Sequence, residues 1–365
     1  MKLHEIIRQK RKERGMTQEE LAVYLGVSAP AVNKWERNVS FPDITFLPQL
    51  ATLFHISVDE LLGYEPQLTK QEIRRLYKEF SARFLKEPFS AVEKEVKDYV
   101  KQYYSCFPFV FEMAALLLNY ASASENPQAV LADVIELADR VEMEAKDVYL
   151  VQSAREMKCT CYLWQGCPDE VFAMTDEEIH PFNQEYVLVA EAWVMKGNIG
   201  KMQEILQVGL YQHLQMLMSG TTRLLGVEED PARAQEMIRR GEGLIKLFSI
   251  DKLQFNEAVK FYLTAASWYC KAGRKEEALE MVEKYVTCVL NQSYPLKLKE
   301  DTYFNAIGGW IENLTLGEMA PREMEAVKDS ILHELENPMF AYISGETKFK
   351  KMKEKLQNGL RKSDK

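Results

Sequence analysis

Capping signals cut the first 63 residues into short helical stretches, and this punctuation constrains the fold more than any other feature of the chain. Leu3, Ile7 and Arg11 recur at a spacing of four with Ile6 alongside, and Gly15 stops the pattern. In Thr17-Gln18-Glu19-Glu20, Thr17 can cap a second helix while Glu20 reaches back to the Thr17 amide. Met16 and Leu21 stand where a hydrophobic staple would form. The second helix packs through Leu21, Ala22 and Leu25, and Gly26-Val27 turns the chain. Ser28 is placed to cap a third helix. Its first turn holds Pro30, where the missing N–H has no intrahelical partner to lose. Val32 and Trp35 face inward, and Asn38 can supply a left-handed stop. A fourth helix, about 43–54, carries Ile44, Leu47, Leu50, Ala51 and Phe54. Ser57-Val58-Asp59-Glu60 opens a fifth as a second capping box, with Ile56 and Leu61 as its staple and Gly63 as its stop.

Charge is distributed unevenly. The whole chain carries a net −9, but residues 1–63 balance, with eight basic and eight acidic side chains. Residues 64–347 hold 30 basic against 45 acidic residues, and residues 348–365 hold eight against two. Within the first block, RQKRKER (8–14) concentrates five basic residues against one acidic. Whole-chain charge therefore says little about the local face this block presents.

The segment MTQEELAVYLGVSAPAVNKWERNVSFPDITFLPQLATLFHISVDELLG resembles the helix-turn-helix domain of the lambda-repressor/Cro-like (XRE) family, and the match runs from Leu3 to Gly63. It rests on Thr17-Gln18, Leu21-Ala22, Gly26-Val27-Ser28, Lys34-Trp35-Glu36, Pro42 and Leu61-Leu62-Gly63. The resemblance implies a five-helix domain whose third helix enters the major groove of double-stranded DNA. Carried over by position, Thr17, Gln18 and Ser28 lie at helix starts that meet DNA, and Ala29, Pro30, Asn33 and Lys34 face the groove. Arg37, Asn38, Ser40 and Phe41 lie in the segment that approaches the second strand's backbone, and Arg11 with Glu36 matches a buried structural ion pair. Ala29 and Pro30 stand in place of polar readers, and Phe41 where many relatives carry a basic residue. Hydrogen-bonded readout then rests on Asn33, suited to adenine, on Lys34, suited to guanine, and on Gln18, with thymine-methyl contacts and DNA shape supplying the rest.

Residues 64–70, YEPQLTK, read as a connector containing Pro66. Residues 71–347 show helical periodicity almost throughout. Val130, Val134, Leu137, Ala138 and Val141 form one stripe, and Ala258, Phe261, Tyr262, Ala265 and Tyr269 another. Prolines, among them Pro127, Pro168, Pro181 and Pro231, fall between the stripes. YVLVAEAWVM (186–195) reads as helix because of its alanines and the following Gly197. Three copies of an aromatic-x3-glycine pattern appear, at Tyr162/Gly166, Trp193/Gly197 and Tyr269/Gly273, followed by Val171, Met202 and Ala278. The pattern resembles tetratricopeptide repeats, giving an all-α chain with a TPR-like α-solenoid of six to eight helix pairs, degenerate ones included. The stretch 348–365, KFKKMKEKLQNGLRKSDK, reads as a basic C-terminal tail, a last basic helix with a frayed, solvated end.

The joined architecture resembles the peptide-responsive regulators of Gram-positive bacteria. That resemblance implies a DNA-binding homodimer on a palindromic operator, with the repeat region dimerising and sensing a peptide or protein. In those proteins groove asparagines hold the peptide backbone, and Asn119, Asn183, Asn256 and Asn305 are the nominal counterparts. A protein-interaction scaffold or an antitoxin-like protein with vestigial DNA binding is the alternative.

Other classes find little support. There is no phosphate-cradling glycine loop and no G-x-S-x-G. His4, His55, His180, His213 and His333 are scattered, and His333-Glu334 lacks the second histidine of a zinc helix. Asp133, Glu136, Asp139 and Glu142 form a carboxylate row that reads as a solvated face. Cys159, Cys161 and Cys167 lack a zinc spacing and read as reduced thiols. The expectation is a chain that is not an enzyme and has no cofactor or metal. No run is apolar enough to span a bilayer and the N-terminus lacks a signal-peptide core, which places the chain in the cytoplasm.

Overall fold

A computed structural model describes residues 3–64, 67–175 and 185–362. Pro66, His180, Pro181 and Asn183, singled out above, lie outside the described residues. The chain divides into two compact units, residues 1–69 with 97–110, and residues 70–96 with 111–365. No strand occurs among the described residues, where sheet-type pairing is limited to one isolated bridge, Lys297 to Met319. No described helix is long and apolar enough to cross a membrane.

The first unit opens with five helices, α1 (Leu3–Glu13), α2 (Gln18–Leu25), α3 (Ala29–Glu36), α4 (Leu47–Phe54) and α5 (Val58–Leu62). Each stop is a residue in the left-handed region. Gly15, Gly26 and Gly63 have φ of 68°, 69° and 63°, and Asn38 and His55 reach 57° and 53°. The capping box at Thr17 is complete, since its hydroxyl accepts from the Glu20 amide and the Glu20 carboxylate accepts from the Thr17 amide. The box at Ser57 is half formed. Its hydroxyl accepts from the Glu60 amide, but the Glu60 carboxylate lies 3.8 Å from Lys10 Nζ. Ile44 departs from the sequence reading as well. It opens a 3-10 turn, Ile44–Phe46, ahead of α4 and is 77% exposed. The remaining stripe positions pack as expected, with Ile7, Leu21, Val32, Leu50, Phe54 and Leu61 in one core.

Fifteen further α-helices follow among the described residues, and those of the second unit form a helical repeat-like array. Neighbours pair across short turns: Pro127–Glu144 with Val148–Gln165, Glu185–Met195 with Ile199–Val227, and Phe255–Lys271 with Lys275–Leu290. The aromatic-x3-glycine pattern now has a physical cause. In all three copies the glycine adopts positive φ and the next amide donates back to the aromatic's own carbonyl: Cys167 to Tyr162, Asn198 to Trp193, and Arg274 to Tyr269. These are Schellman stops, and the aromatic is the residue whose orphan carbonyl they satisfy. Only Tyr269 of the three aromatics is fully buried, with Ala278 buried beyond it, so the third copy alone has the packing of a tight repeat.

Two features of this unit depend on contacts between residues far apart in the chain. The segment 312–323 returns to the unit's first helix, Lys70–Arg83. Arg74 donates to the carbonyls of Glu312, Leu314 and Thr315, and the Tyr77 hydroxyl donates to the Pro321 carbonyl. Gly317 lies under that guanidinium, where a β-carbon would stand 3.1 Å from it. The second feature concerns the stretch read as a basic tail. Thr347–Lys362 is a helix that buries Phe349, Met352, Leu356 and Leu360 in the unit's core. Its lysines occupy the other face, where Lys348 pairs with Glu283 and Lys353 with Glu336.

Candidate nucleic-acid interface

The helix-turn-helix element is α2, the Gly26-Val27 turn and α3. The Val27 amide donates to the Ala22 carbonyl and closes the turn. Val32 and Trp35 are buried on the inner side of α3, with the Trp35 ring 5.9 Å from that of Phe46. They fix the helix from behind and leave Pro30, Lys34 and Arg37 exposed on the other side, with Ala29 and Asn33 half-buried between. Lys34 falls in the last turn of α3, where a cation also complements the helix dipole.

Ser28 does not cap α3 through its side chain. Its backbone has the extended geometry of an N-cap, φ −84° and ψ 147°, but the hydroxyl makes no capping bond. Pro30 occupies the second helical position and has no N–H to offer, while the Ala31 amide already donates to the Ser28 carbonyl. The exposed hydroxyl of Ser28 is left outside the helix's own bonding. Thr17→Ala is therefore expected to cost ~1 kcal/mol of domain stability, whereas Ser28→Ala costs no more than a few tenths. Urea titration of the two variants side by side checks the difference.

Behind the exposed face lies a continuous relay. Arg11 Nε donates to Glu36 Oε1 at 2.5 Å and its Nη2 to Oε2 at 3.0 Å, a bidentate pair, while Nη1 donates to the Met16 carbonyl at 2.6 Å. Arg11 is 9% exposed and Glu36 5%. Gln18 Nε2 donates to Glu36 Oε2 at 2.8 Å, and Asn33 Nδ2 donates to Gln18 Oε1 at 3.1 Å. Burial pushes the Glu36 carboxyl up, but the bonds from Arg11 and Gln18 and the charges of Arg11 and Arg8 outweigh it and hold the group below its ordinary range. The bond to Glu36 also raises Arg11, so both partners stay charged.

The relay has a direction set by chemistry. An ionised carboxylate accepts only, so Gln18 must turn its NH2 toward Glu36 and its oxygen toward Asn33. Asn33 must then offer its NH2 to Gln18, which leaves its carbonyl oxygen and one N–H for an incoming group. Those two are what an asparagine presents to the N6 and N7 of adenine. Sequence reading identified the ion pair and both amides separately. The bonds joining them were missed, because Gln18 lies on a different helix from Asn33 and Glu36, and no helical spacing links it to either.

Beyond α3, Asn38 takes the left-handed stop, and the Val39 amide donates to the Lys34 carbonyl. Ser40 is half-buried and Phe41 exposed. On α1, Arg8 and Lys12 are exposed and Lys10 half-buried, and Arg14, just past its end, is exposed.

Three of the nominal ligand asparagines lie among the described residues, each in its own setting. Asn119 donates to the Tyr77 hydroxyl, Asn305 accepts from Gln207 at 2.9 Å, and Asn256 is exposed on its helix. Two members of the carboxylate row are tied into the fold, with Asp139 and Glu142 holding Lys158 at 2.7 and 2.8 Å. Cys161 is buried, Cys159 half-buried and Cys167 exposed, and no group of three metal-capable side chains occurs among the described residues.

Comparison with known proteins bears on the first unit. Residues 7–61 match the helix-turn-helix family model. The HTH-type transcriptional activator BcrR of Enterococcus faecalis is 36% identical over 72 residues, covering 20% of this chain and 35% of that protein, so the chain spans about a third of the length of this curated relative. Among solved structures, PlcR of Bacillus thuringiensis, crystallised with the peptide PapR7 and DNA, aligns over 79% of this chain and 94% of its own, at 13% identity and a TM-score of 0.29. The apo competence regulator ComR of Streptococcus vestibularis aligns over 80% and 92%, at 13% identity and a TM-score of 0.25.

Proposed function

We propose, from the premise that residues 7–61 are a helix-turn-helix domain of the XRE type, that this chain is a sequence-specific DNA-binding transcription regulator acting in the cytoplasm as a homodimer. The observation that carries the reading is the Arg11–Glu36–Gln18–Asn33 relay beside the exposed Lys34. A five-helix module used only to bind protein has no need of an amide oriented by a buried ion pair. Asn33 and Lys34 are the base readers in this proposal, Gln18, Thr17, Ser28, Arg37 and Asn38 approach the phosphates, and Ala29 and Pro30 contact thymine methyl groups. With so few hydrogen-bonding readers, specificity also draws on DNA shape and on the spacing of two half-sites about one helical turn apart.

The second unit, in this reading, brings two copies together and takes a peptide or protein ligand. Its acidic balance favours a cationic peptide and keeps the unit away from the duplex. Binding, not catalysis, is the work assigned to both units.

The test is selection of bound DNA from a random pool by the full-length chain. A palindromic consensus with a steep salt dependence supports the reading, and weak binding indifferent to sequence overturns it. On the selected site, Lys34→Ala is expected to weaken binding by ~1–3 kcal/mol. The loss should concentrate at one base pair of each half-site, which a gel-shift series over single-base variants would show.

A further inference from the structure

The helix Ile199–Val227 is apolar on more of its circumference than its own fold uses. Its inner face, Tyr211, Leu214, Met218 and Leu225, is buried. On another side, Leu210, Leu217 and Leu224 follow each other at intervals of seven and are 45%, 53% and 58% exposed. Seven-residue spacing keeps side chains in register along one seam of a helix, the arrangement that lets one helix pack along another. Between Leu217 and Leu224, Gly220 leaves a notch, where an added β-carbon would meet nothing within 4 Å.

We infer that this seam is the contact surface between two copies of the chain, packed antiparallel about a two-fold axis, with Leu217 of each copy seated over Gly220 of the other. Three observations favour a second copy over a different partner. The feature contains both knob and hole one helical turn apart, so a single two-fold operation satisfies both at once, as an isologous interface requires. Around the same axis, Leu210 of one copy meets Val227 of the other, which is 77% exposed. Third, residues 205–222 form the longest stretch of the chain without a lysine, arginine, aspartate or glutamate. Two copies of a chain with net charge −9 repel each other, and an uncharged face is where that repulsion is least. The helix is ~43 Å long at 1.5 Å per residue, long enough for a standard-sized contact.

This inference rests on the homodimer reading above and specifies where that dimer forms. Sedimentation equilibrium of the full-length chain tests it, using Leu217→Lys and, separately, Gly220→Leu. Leu217 is exposed, and the Gly220 notch is open and helical, so neither change disturbs the monomer; Gly220→Leu removes a helix-weakening residue. The expected result is a wild-type dimer and a dissociation constant raised on the order of 100-fold in each variant, with circular dichroism unchanged. A wild-type dimer that both variants preserve overturns this interface and leaves the homodimer reading standing. A wild-type chain that stays monomeric at tens of micromolar overturns both.

Discussion

Arg11→Ala is expected to destabilise the first unit by about 3–5 kcal/mol, because it leaves the Glu36 carboxylate buried without its cation. That is most of the stability a domain of this size possesses, so the variant should be largely unfolded near its former melting midpoint. The loss should depend on pH in a set direction. In the wild type the Glu36 carboxyl is held below its ordinary range, so its contribution is present above the unfolded value of ~4.3 and lost as pH falls through the folded one. In the variant the cation is gone and burial dominates, so Glu36 takes up a proton at higher pH than before. The gap between wild type and variant should be widest near neutral pH and narrow toward acid. Urea titrations at several pH values would show it, and a gap that stays constant with pH would remove Glu36 charge as the cause. The double change Arg11→Met/Glu36→Leu should recover much of the stability, since a buried pair can be replaced by apolar packing at little cost. It should not recover operator specificity, because Gln18 then has no carboxylate to orient it and Asn33 no oriented amide. Stability and specificity separate in that variant if the relay sets the reading face.

Phe261→Ala should lower the stability of the second unit by about 3–5 kcal/mol. The ring is fully buried and lies directly on Gly241 of the helix Pro231–Phe248, so closely that a β-carbon at 241 would overlap it. Truncation leaves a cavity floored by backbone. Gly241 has no side chain to fill it, and the neighbouring Ala258 and Ala265 are too small to reach in. The cost therefore belongs at the upper end of the range for a buried aromatic. The first unit's core, built from α1–α5, contains none of these residues, so its transition should not move. Differential scanning calorimetry of the full chain would register the shift in one transition only. A shift in both would mean that the two units unfold as one.

The sequence alone determined the α-helical class, the five-helix segmentation and the positions of the stops. These depend on interactions within five or six residues, such as the Thr17 hydroxyl to the Glu20 amide, or the amide after Gly273 to the Tyr269 carbonyl. Such bonds close within about a turn and a half of helix, so spacing encodes them. Where a competing interaction at short range intervened, the reading failed in detail. Pro30 removed the donor Ser28 would have capped, and Lys10 lies near the Glu60 carboxylate that would have completed the second box.

Only the tertiary structure decided how the local pieces are wired. The Gln18–Glu36 and Asn33–Gln18 bonds join helices whose separation no periodicity records, yet they fix which atoms of Asn33 are left for an incoming group. The return of 312–323 to Arg74 and Tyr77 spans some 240 residues of chain. The basic C-terminal stretch reads as a solvated tail because lysines dominate its composition, but its four apolar residues share one helical face and a core was there to receive them. Amphipathic spacing says that a face can be buried, and the rest of the fold supplies what it is buried against. The same asymmetry holds at Leu210, Leu217 and Leu224, where the spacing is plain in the sequence and only the fold reveals that they stand exposed, outside the core of the described residues.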